Sequence, residues 1–339
     1  MKRSIIVFTL LVTIAATGVA QENLTQLTNT LKERLSISGY AQAGYNYEHA
    51  EEESNSFDIK RAILIIKGDI TANWSALFMY NFSGSKVLEF YSNYRVCDAL
   101  NTQFGQFKTP LSIENPMSPT QLEVIDGGSQ AVRYLAAVSP SDKLYGGHAG
   151  RDLGFMLHGN LLKNLVSYKL ALMNGQGINV KDKNNNKDLV ANLTLHPTNW
   201  LALSGSFSKG KGHAIATSPY NPEIAVGDNY RRDRWAAGFD LHSSPFSLRA
   251  EFLQGKDGYV TSKGGYLTTV CNVVPKLDFI ASFDYFNYNT TMNEIQTNYV
   301  AGIQYWFYPK CRLQAQYTYQ YKHLHDNANL IQAQVQVAF

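Results

Sequence analysis

Leu330-Ile331-Gln332-Ala333-Gln334-Val335-Gln336-Val337-Ala338-Phe339 closes the chain. Successive side chains of a strand point to opposite sides. Ile331, Ala333, Val335, Val337 and Phe339 therefore share one face, and Gln332, Gln334 and Gln336 the other. The stretch before it repeats the pattern. Leu313, Ala315, Tyr317, Tyr319 and Tyr321 alternate with Arg312, Gln314, Gln316, Thr318, Gln320 and Lys322. Further upstream, Leu277, Phe279, Ala281, Phe283 and Tyr285 alternate with Asp278, Ser282 and Asp284. Phe246, Leu248, Ala250 and Phe252 alternate with Ser247, Arg249 and Glu251, and Leu201, Leu203 and Phe207 with a run of small polar residues. A soluble sandwich alternates too, but its strands average five or six residues. These run to about ten, the length that crosses a bilayer at a tilt. Tyr and Phe gather near strand ends, as in Trp306-Phe307-Tyr308, where the aromatic girdles of a membrane barrel belong.

Composition agrees. The 339 residues hold 17% charged and 12% aromatic side chains, with 21 Tyr, too few charges and too many rings for an ordinary cytosolic enzyme. Mean hydropathy is -0.23, and no apolar run in the body of the chain is long enough for a transmembrane helix. Lys2 and Arg3, the apolar Ile5–Ala16 and the small residues Gly18-Val19-Ala20 read as an export signal over 1–20. Its removal takes away two of the 30 Lys and Arg and none of the 27 acids, leaving a formal charge of +1. That balance does not suit a nucleic-acid binder. Leu24, Leu27, Leu31 and Leu35 lie at helical spacing and predict a short helix within 21–34, ahead of a barrel over 35–339. Cys97, Cys271 and Cys311 are too few and too scattered for a disulfide framework.

Counting strands from Leu35 gives about sixteen, all antiparallel. The even-numbered connections are tight: 71–73, 97–99, 161–164, 196–199, 242–244, 272–275 and 309–310. The odd-numbered ones are often long: 49–56, 109–150, 175–186, 209–230 and 289–295. Short turns on one rim and long loops on the other describe an outer-membrane barrel, which must close because lipid offers no partner to an open edge. The segment 109–150 is the longest connection and carries Leu111, Ile113, Met117, Leu122, Val124, Ile125, Val132, Tyr134 and Leu135. Apolar residues in a loop need somewhere to pack, and folding into the lumen buries them while narrowing the channel.

Several stretches resemble the phosphate-selective porin O and P family of Gram-negative outer membranes, in its Bacteroidetes form. Gly105-Gln106-Phe107-Lys108-Thr109-Pro110-Leu111-Ser112-Ile113-Glu114 resembles the family's passage from the fifth strand into the constriction loop. Phe57-Asp58-Ile59-Lys60-Arg61-Ala62 followed by Gly68 resembles its second strand. Gly150-Arg151-Asp152-Leu153-Gly154 resembles the start of the sixth, and Asn174-Gly175 with the Asp/Asn-rich 182–188 the loop after the seventh. Terminal Phe339 is similar to the signal read by the barrel-assembly machinery. The resemblance implies a sixteen-stranded diffusion pore for small hydrophilic solutes, usually a homotrimer. It implies a site among outer-membrane lipid and lipopolysaccharide, and no cofactor.

Selectivity does not follow from the resemblance alone. Phosphate-selective members cluster Arg and Lys at the constriction. Here the loop carries Arg133 and Lys143 against Glu114, Glu123, Asp126 and Asp142. Lys108 and Arg151 flank its base. The expected constriction residues are thus Lys108, Glu114, Glu123, Asp126, Arg133 and Arg151. The expected pore wall holds Arg95, Lys169, Arg232, Arg234, Arg249 and Arg312, balanced in part by Glu89, Glu251, Asp278 and Asp284. A mixed set of charges makes a transverse field rather than a single-sign filter, so the expectation is a general or weakly anion-preferring porin. An adhesin or structural anchor built on the same barrel is the alternative.

Three weaker patterns complete the reading. Asp182-x-Asn184-x-Asn186-x-Asp188 resembles the opening of a calcium loop but lacks the sixth-position Gly and the distal Glu. His323-x-His325 has two metal-binding rings and no third ligand. His242-Ser243-Ser244 has the spacing of a barrel phospholipase without a companion motif.

Overall fold

The computed structural model describes residues 33–50 and 53–339. The export signal over 1–20 and the helix within 21–34 lie outside the described residues, the last two positions apart. The strands are β1 (Leu35–His49), β2 (Ser54–Asp69), β3 (Trp74–Asn81), β4 (Lys86–Cys97), β5 (Leu100–Lys108), β6 (Arg151–Leu161), β7 (Val166–Met173) and β8 (Asp188–Thr198). They continue with β9 (Leu201–His213), β10 (Asn229–Ser243), β11 (Phe246–Asp257), β12 (Val260–Val274), β13 (Leu277–Asn287), β14 (Ile295–Tyr308), β15 (Cys311–Lys322) and β16 (Ala328–Ala338). Each pairs antiparallel with its sequence neighbours, and β1 pairs with β16 to close a sixteen-stranded barrel.

Polarity is inverted relative to a soluble protein. Gln332, Gln334 and Gln336 of β16 are buried, as are Arg312, Gln314 and Thr318 of β15. Ile331, Val335, Val337, Leu313 and Tyr317 are exposed, on the face that lipid covers. The alternation read from the sequence is thus a lumen face and a lipid face.

One rim has connections of two to four residues throughout (70–73, 98–99, 162–165, 199–200, 244–245, 275–276, 309–310). The other carries 109–150, 174–187 and 214–228, but also the short 82–85 and 258–259. The loop expected over 209–230 is shorter, because β9 and β10 stay paired as far as His213 and Asn229. Backbone pairing needs a partner strand, not an apolar face, so the hairpin outlasts the hydrophobic pattern. Strand lengths of 8 to 16 residues have the same origin.

Among the described residues the register shifts beside four of the short turns and at two places within the wall. In β2, Gln42 faces Arg61 while Ala43 faces Ile59, which leaves Lys60 as the extra residue. Phe57 and Ile59 point outward, and Lys60 and Arg61 both reach the same lumenal cavity. In β4, Met79 faces Glu89 and Tyr80 faces Val87, so Leu88 is extra and both Leu88 and Glu89 are buried. A bulge switches the face presented beyond it, which puts Lys86 on the lumen side as well.

The segment 109–150 folds inward. Its helix α1 (Gln130–Leu135) begins at Ser129, whose side chain accepts from the Val132 N–H. Ala131, Val132, Tyr134 and Leu135 are buried in a core shared with Met156, Ala171, Met173, Val190, Ala236, Leu253, Tyr266 and Phe286. These wall residues are apolar side chains on the lumen faces of β6–β8 and β10–β13. The core of this protein is therefore inside the channel.

The seam depends on a close approach. A Cβ on Gly39 would stand 2.5 Å from the Ile63 carbonyl oxygen and 3.0 Å from the Phe339 ring. The Phe339 N–H donates to the Gly39 carbonyl at 3.0 Å, and the Gly39 N–H donates back at 3.4 Å. Deleting Phe339 removes that last pair of the closing register. The amount of heat-modifiable, membrane-inserted protein should fall several-fold on gels of boiled and unboiled membranes. Assembly of the truncated chain at full yield would show that the seam does not need it.

Candidate functional site

The inward loop is fastened along one side of the lumen by buried polar contacts. Ser112 Oγ and the Ile113 N–H donate to the Glu251 carboxylate at 2.7 and 2.9 Å. Arg249 grips Glu123 with two nitrogens at 2.8 and 3.2 Å. Arg312 donates to the Leu122 carbonyl at 2.7 Å, and Gln314 to the Glu123 carbonyl at 2.8 Å. The Gln130 N–H donates to Asp284 at 2.9 Å. Arg232 and Arg234 both donate to the Leu135 carbonyl at the end of α1, each at 3.3 Å. Arg234 also pairs with Asp257 at 2.8 Å, and Arg232 lies over the Tyr145 ring, 3.9 Å from its centre. Asp142 sits 3.8 and 4.0 Å from the two guanidinium groups. Buried charges need an opposite charge or a hydrogen bond nearby; each of these groups has one, although Asp142 Oδ2, Arg232 Nε and Arg249 Nε make no hydrogen bond among the described residues.

Four of the six arginines and lysines expected to line the pore wall are spent on this attachment. Arg232, Arg234, Arg249 and Arg312 are buried beneath the loop. Arg95 lies at the short-turn rim and pairs with Asp98. Lys169 is on the lumen side of β7, across from His158 and Asn192.

The opposite side of the lumen remains open. A cavity of ≈ 210 Å³ there is lined by Lys60, Arg61, Lys86, Lys108 and Arg151, with Glu114 facing them from the loop. Arg151 is held by Glu89 at 2.7 Å, and Lys60 pairs with Asp126. Lys108 donates to the Met117 carbonyl, and Arg61 to the Gln42 amide oxygen at 2.7 Å. Among the described residues no carboxylate lies within ion-pair distance of Arg61, Lys86 or Lys108. Lys108, Arg151 and Glu114 of the expected constriction therefore meet at this cavity. Glu123 lies beneath the loop with Arg249. Arg133 and Asp126 face a second cavity on the far side of the loop.

Lys60, Arg61 and Lys86 were missed by pattern reading. Strict alternation places Arg61 opposite Lys60, and only the bulges bring them to one side. The family-like run Phe57–Ala62 was the one signal that marked this strand. The lumenal docking patch for α1 also had a signal: Ala171, Met173, Leu253 and Phe286 interrupt an otherwise polar face.

Glu114 forms the partition between the two cavities, lining both. Its Oε2 accepts from the Ser129 N–H at 2.8 Å, and Arg249 lies 4.0 Å away. Burial pushes its carboxyl up to about 8, against the opposing pull of Arg249 and the Ser129 N–H. At neutral pH this acid is mostly protonated, so the loop carries less negative charge than its composition suggests.

The Asp/Asn-rich loop is organised by its own turns. Asp182 accepts from the Asn184 and Asn185 N–H groups and pairs with Lys187, and Asp188 is buried on β8, accepting from the Lys211 N–H. Among the described residues no cluster of three or more potential metal ligands occurs. His325 pairs with Glu294 at 3.3 Å, and His242 lies at the short-turn rim, exposed, 3.2 Å from Asp240.

The family model of the phosphate-selective porins O and P matches residues 32–201, half of the chain. The chain belongs to that family. This porin's fold is shared with solved outer-membrane channels at low identity. The anion-selective porin of Comamonas acidovorans is 10% identical, with a TM-score of 0.69 over 90% of this chain and 99% of that one. The in-vitro-folded trimer form of Vibrio cholerae OmpT is 11% identical, with a TM-score of 0.64 over 90% and 100%. The outer-membrane channel DcaP of Acinetobacter baumannii is 12% identical, with a TM-score of 0.62 over 90% and 97%. No curated protein matches the sequence. Family and fold together make the porin an outer-membrane channel and point away from an enzyme.

Two outcomes follow from this geometry. Arg249→Ala leaves the partly buried Glu123 without its partner, a loss below the roughly 3–5 kcal/mol of a fully buried pair. Hydrogen-exchange protection of residues 112–128 should drop accordingly while the strands keep theirs. Unchanged protection would mean the loop is held elsewhere. Above about pH 8, Glu114 ionises and adds negative charge beside the cation-lined cavity. The anion-to-cation permeability ratio should decline between pH 7 and 9, and Glu114→Gln should shrink that decline. An identical pH profile in the variant would remove Glu114 from the account.

Proposed function

We propose that this porin passes small anionic hydrophilic solutes by passive diffusion, between the inward loop and the wall of β1–β6. The observation that carries the reading is the pair Arg61 and Lys86, which face one cavity with no carboxylate partner among the described residues, beside Lys108, whose ammonium donates to the Met117 carbonyl. Low-dielectric walls focus the field of such charges and raise the local concentration of anions. Lys60 and Arg151, though paired, keep the wall positive. The buried Arg232, Arg234, Arg249 and Arg312 hold the loop, and contribute to selectivity only by fixing the constriction. Inorganic phosphate is one anion of the right size and charge.

The same reading includes export by the signal over 1–20, followed by a periplasmic segment over 21–34. It includes insertion by the barrel-assembly machinery through Phe339, a surround of lipid and lipopolysaccharide, and a homotrimer. The trimer form of the Vibrio cholerae relative supports the last of these.

The test is the zero-current potential of the purified porin in a planar bilayer under a potassium chloride gradient. The wild type should be anion-preferring. Arg61→Ala combined with Lys86→Ala should lower the anion-to-cation permeability ratio several-fold, with single-channel conductance retained. A potential unmoved by the double substitution would rule out this wall as the selecting element. Absence of any conductance would favour an adhesin or anchor.

A further inference from the structure

Two apolar patches interrupt the polar lumen face. One receives α1. The other stands on β1, β2 and β4, where Tyr40, Ile63 and Leu88 pack together with Ile178. Tyr40 faces Ile63 across the β1–β2 ladder, Ile63 faces Asn81, and Asn81 faces Lys86. Tyr40, Ile63 and Leu88 line the same ≈ 210 Å³ cavity as the cations, and the loop adds Met117, Pro119 and Leu122 to its lining. Met117 and Pro119 are half-buried, so part of each side chain is still open.

Cation and hydrocarbon are interleaved in this cavity. Arg61 and Ile63 lie two positions apart on β2, past the bulge, and so share a face at a spacing of about 7 Å. On the loop side, a Cβ on Gly127 would stand 3.5 Å from Leu122 Cδ1 and 3.6 Å from Arg61 Nη2. The guanidinium therefore has apolar groups near it on both sides. Arg61 and Lys86 are themselves half-buried and reachable from the cavity. Inorganic phosphate would use the cations and leave the apolar surface wetted, whereas an anion with a hydrocarbon tail uses both. Sites for organic solutes combine an apolar lining with a few placed charges in this way. The volume is sufficient: a cavity of about 150 Å³ holds benzene, so ≈ 210 Å³ has room for such a body and a carboxylate.

We infer that the solute of this path is an amphipathic organic anion, an aliphatic monocarboxylate of about four to six carbons. Its carboxylate pairs with Arg61, in the field of Lys86. Its hydrocarbon lies between Tyr40 and Ile63 of the wall and Met117 and Leu122 of the loop. The inference rests on the anion path proposed above and names the solute class of that same cavity.

The experiment uses the full-length porin in planar bilayers at neutral pH. Acetate, butyrate, hexanoate or phosphate is added at constant ionic strength, and the concentration that halves the chloride current is read. Porin-free bilayers exposed to hexanoate supply the baseline. The half-blocking concentration should fall about two- to threefold for each added methylene, short of the roughly fourfold of complete transfer from water. Hexanoate should thus act roughly tenfold or more below acetate, and below phosphate. Ile63→Thr combined with Met117→Gln should flatten this dependence on chain length. Arg61→Ala combined with Lys86→Ala should raise every carboxylate's half-blocking concentration several-fold without flattening it. Heat-modifiability checks that the variants assemble, and the wild-type series needs no variant. Equal block by acetate and hexanoate, or tighter block by phosphate, would overturn the inference. The anion path would still stand in that case if the Arg61→Ala, Lys86→Ala pair shifts the zero-current potential. Hexylammonium blocking as well as hexanoate would overturn the inference too, because the tail alone would then suffice. A chain-length dependence that survives Ile63→Thr with Met117→Gln would place the hydrocarbon elsewhere and overturn it likewise. A zero-current potential unmoved by the Arg61→Ala, Lys86→Ala pair would remove the anion path, and the inference with it.

Discussion

A peptide group inside a hydrocarbon layer has no water to bond with. Every N–H and C=O of a spanning segment must find its partner within the protein. For strands the complete solution is closure, and the β1–β16 register from Tyr40–Ala338 to His49–Asn329 supplies it. Once the sheet is closed, the outward face must be apolar and the inward face is the one place left for polar side chains. The glutamines of β16, the arginines of β10, β11 and β15, and the inward loop all follow from that partition of space.

The lumen is not simply a water-filled tube, because it also has to hold the segment 109–150. Two kinds of contact fix it. The apolar side chains of α1 settle on a patch of inward-facing Met, Leu, Phe and Ala, gaining roughly 25 cal/mol for each Å² of apolar surface removed from water. Charged ties then set its orientation: Arg249 to Glu123, Arg312 to Leu122, Arg232 and Arg234 to Leu135 and Asp142. A buried pair adds little over an apolar one, but removing one member is costly, so such ties specify position more than they add stability. The loop is thereby committed to one side of the barrel, and the cavity that remains takes its chemistry from the other side.

That chemistry is set by two departures from regular geometry. A single extra residue in β2 turns Lys60 and Arg61 toward the same space. Another in β4 brings Lys86 to the lumen. The positive wall is a product of local backbone irregularity. The larger number of arginines elsewhere in the barrel serves to hold the loop. On the loop side, burial keeps Glu114 largely neutral near pH 7. The charge that faces the pore is therefore not the charge counted from composition.

The sequence by itself determined the sixteen strands, the sidedness of turns and loops, the inverted polarity and the inward fold of 109–150. Each of these is written in a period of two or in the spacing of polar connections, and both are local. It also marked Lys108, Glu114 and Arg151 near the constriction, because they sit where strand gives way to loop. Only the tertiary structure decided which of the lumenal cations lack a carboxylate partner among the described residues. Alternation assigns a side chain to a face, but it cannot say what stands opposite that face. Arg249 and Arg61 read alike as inward-pointing cations; one meets Glu123 of the loop and the other bonds the Gln42 amide oxygen and lines the cavity. That difference arises from contacts between residues more than a hundred positions apart in one case, and from a bulge that shifts the register by one residue in the other.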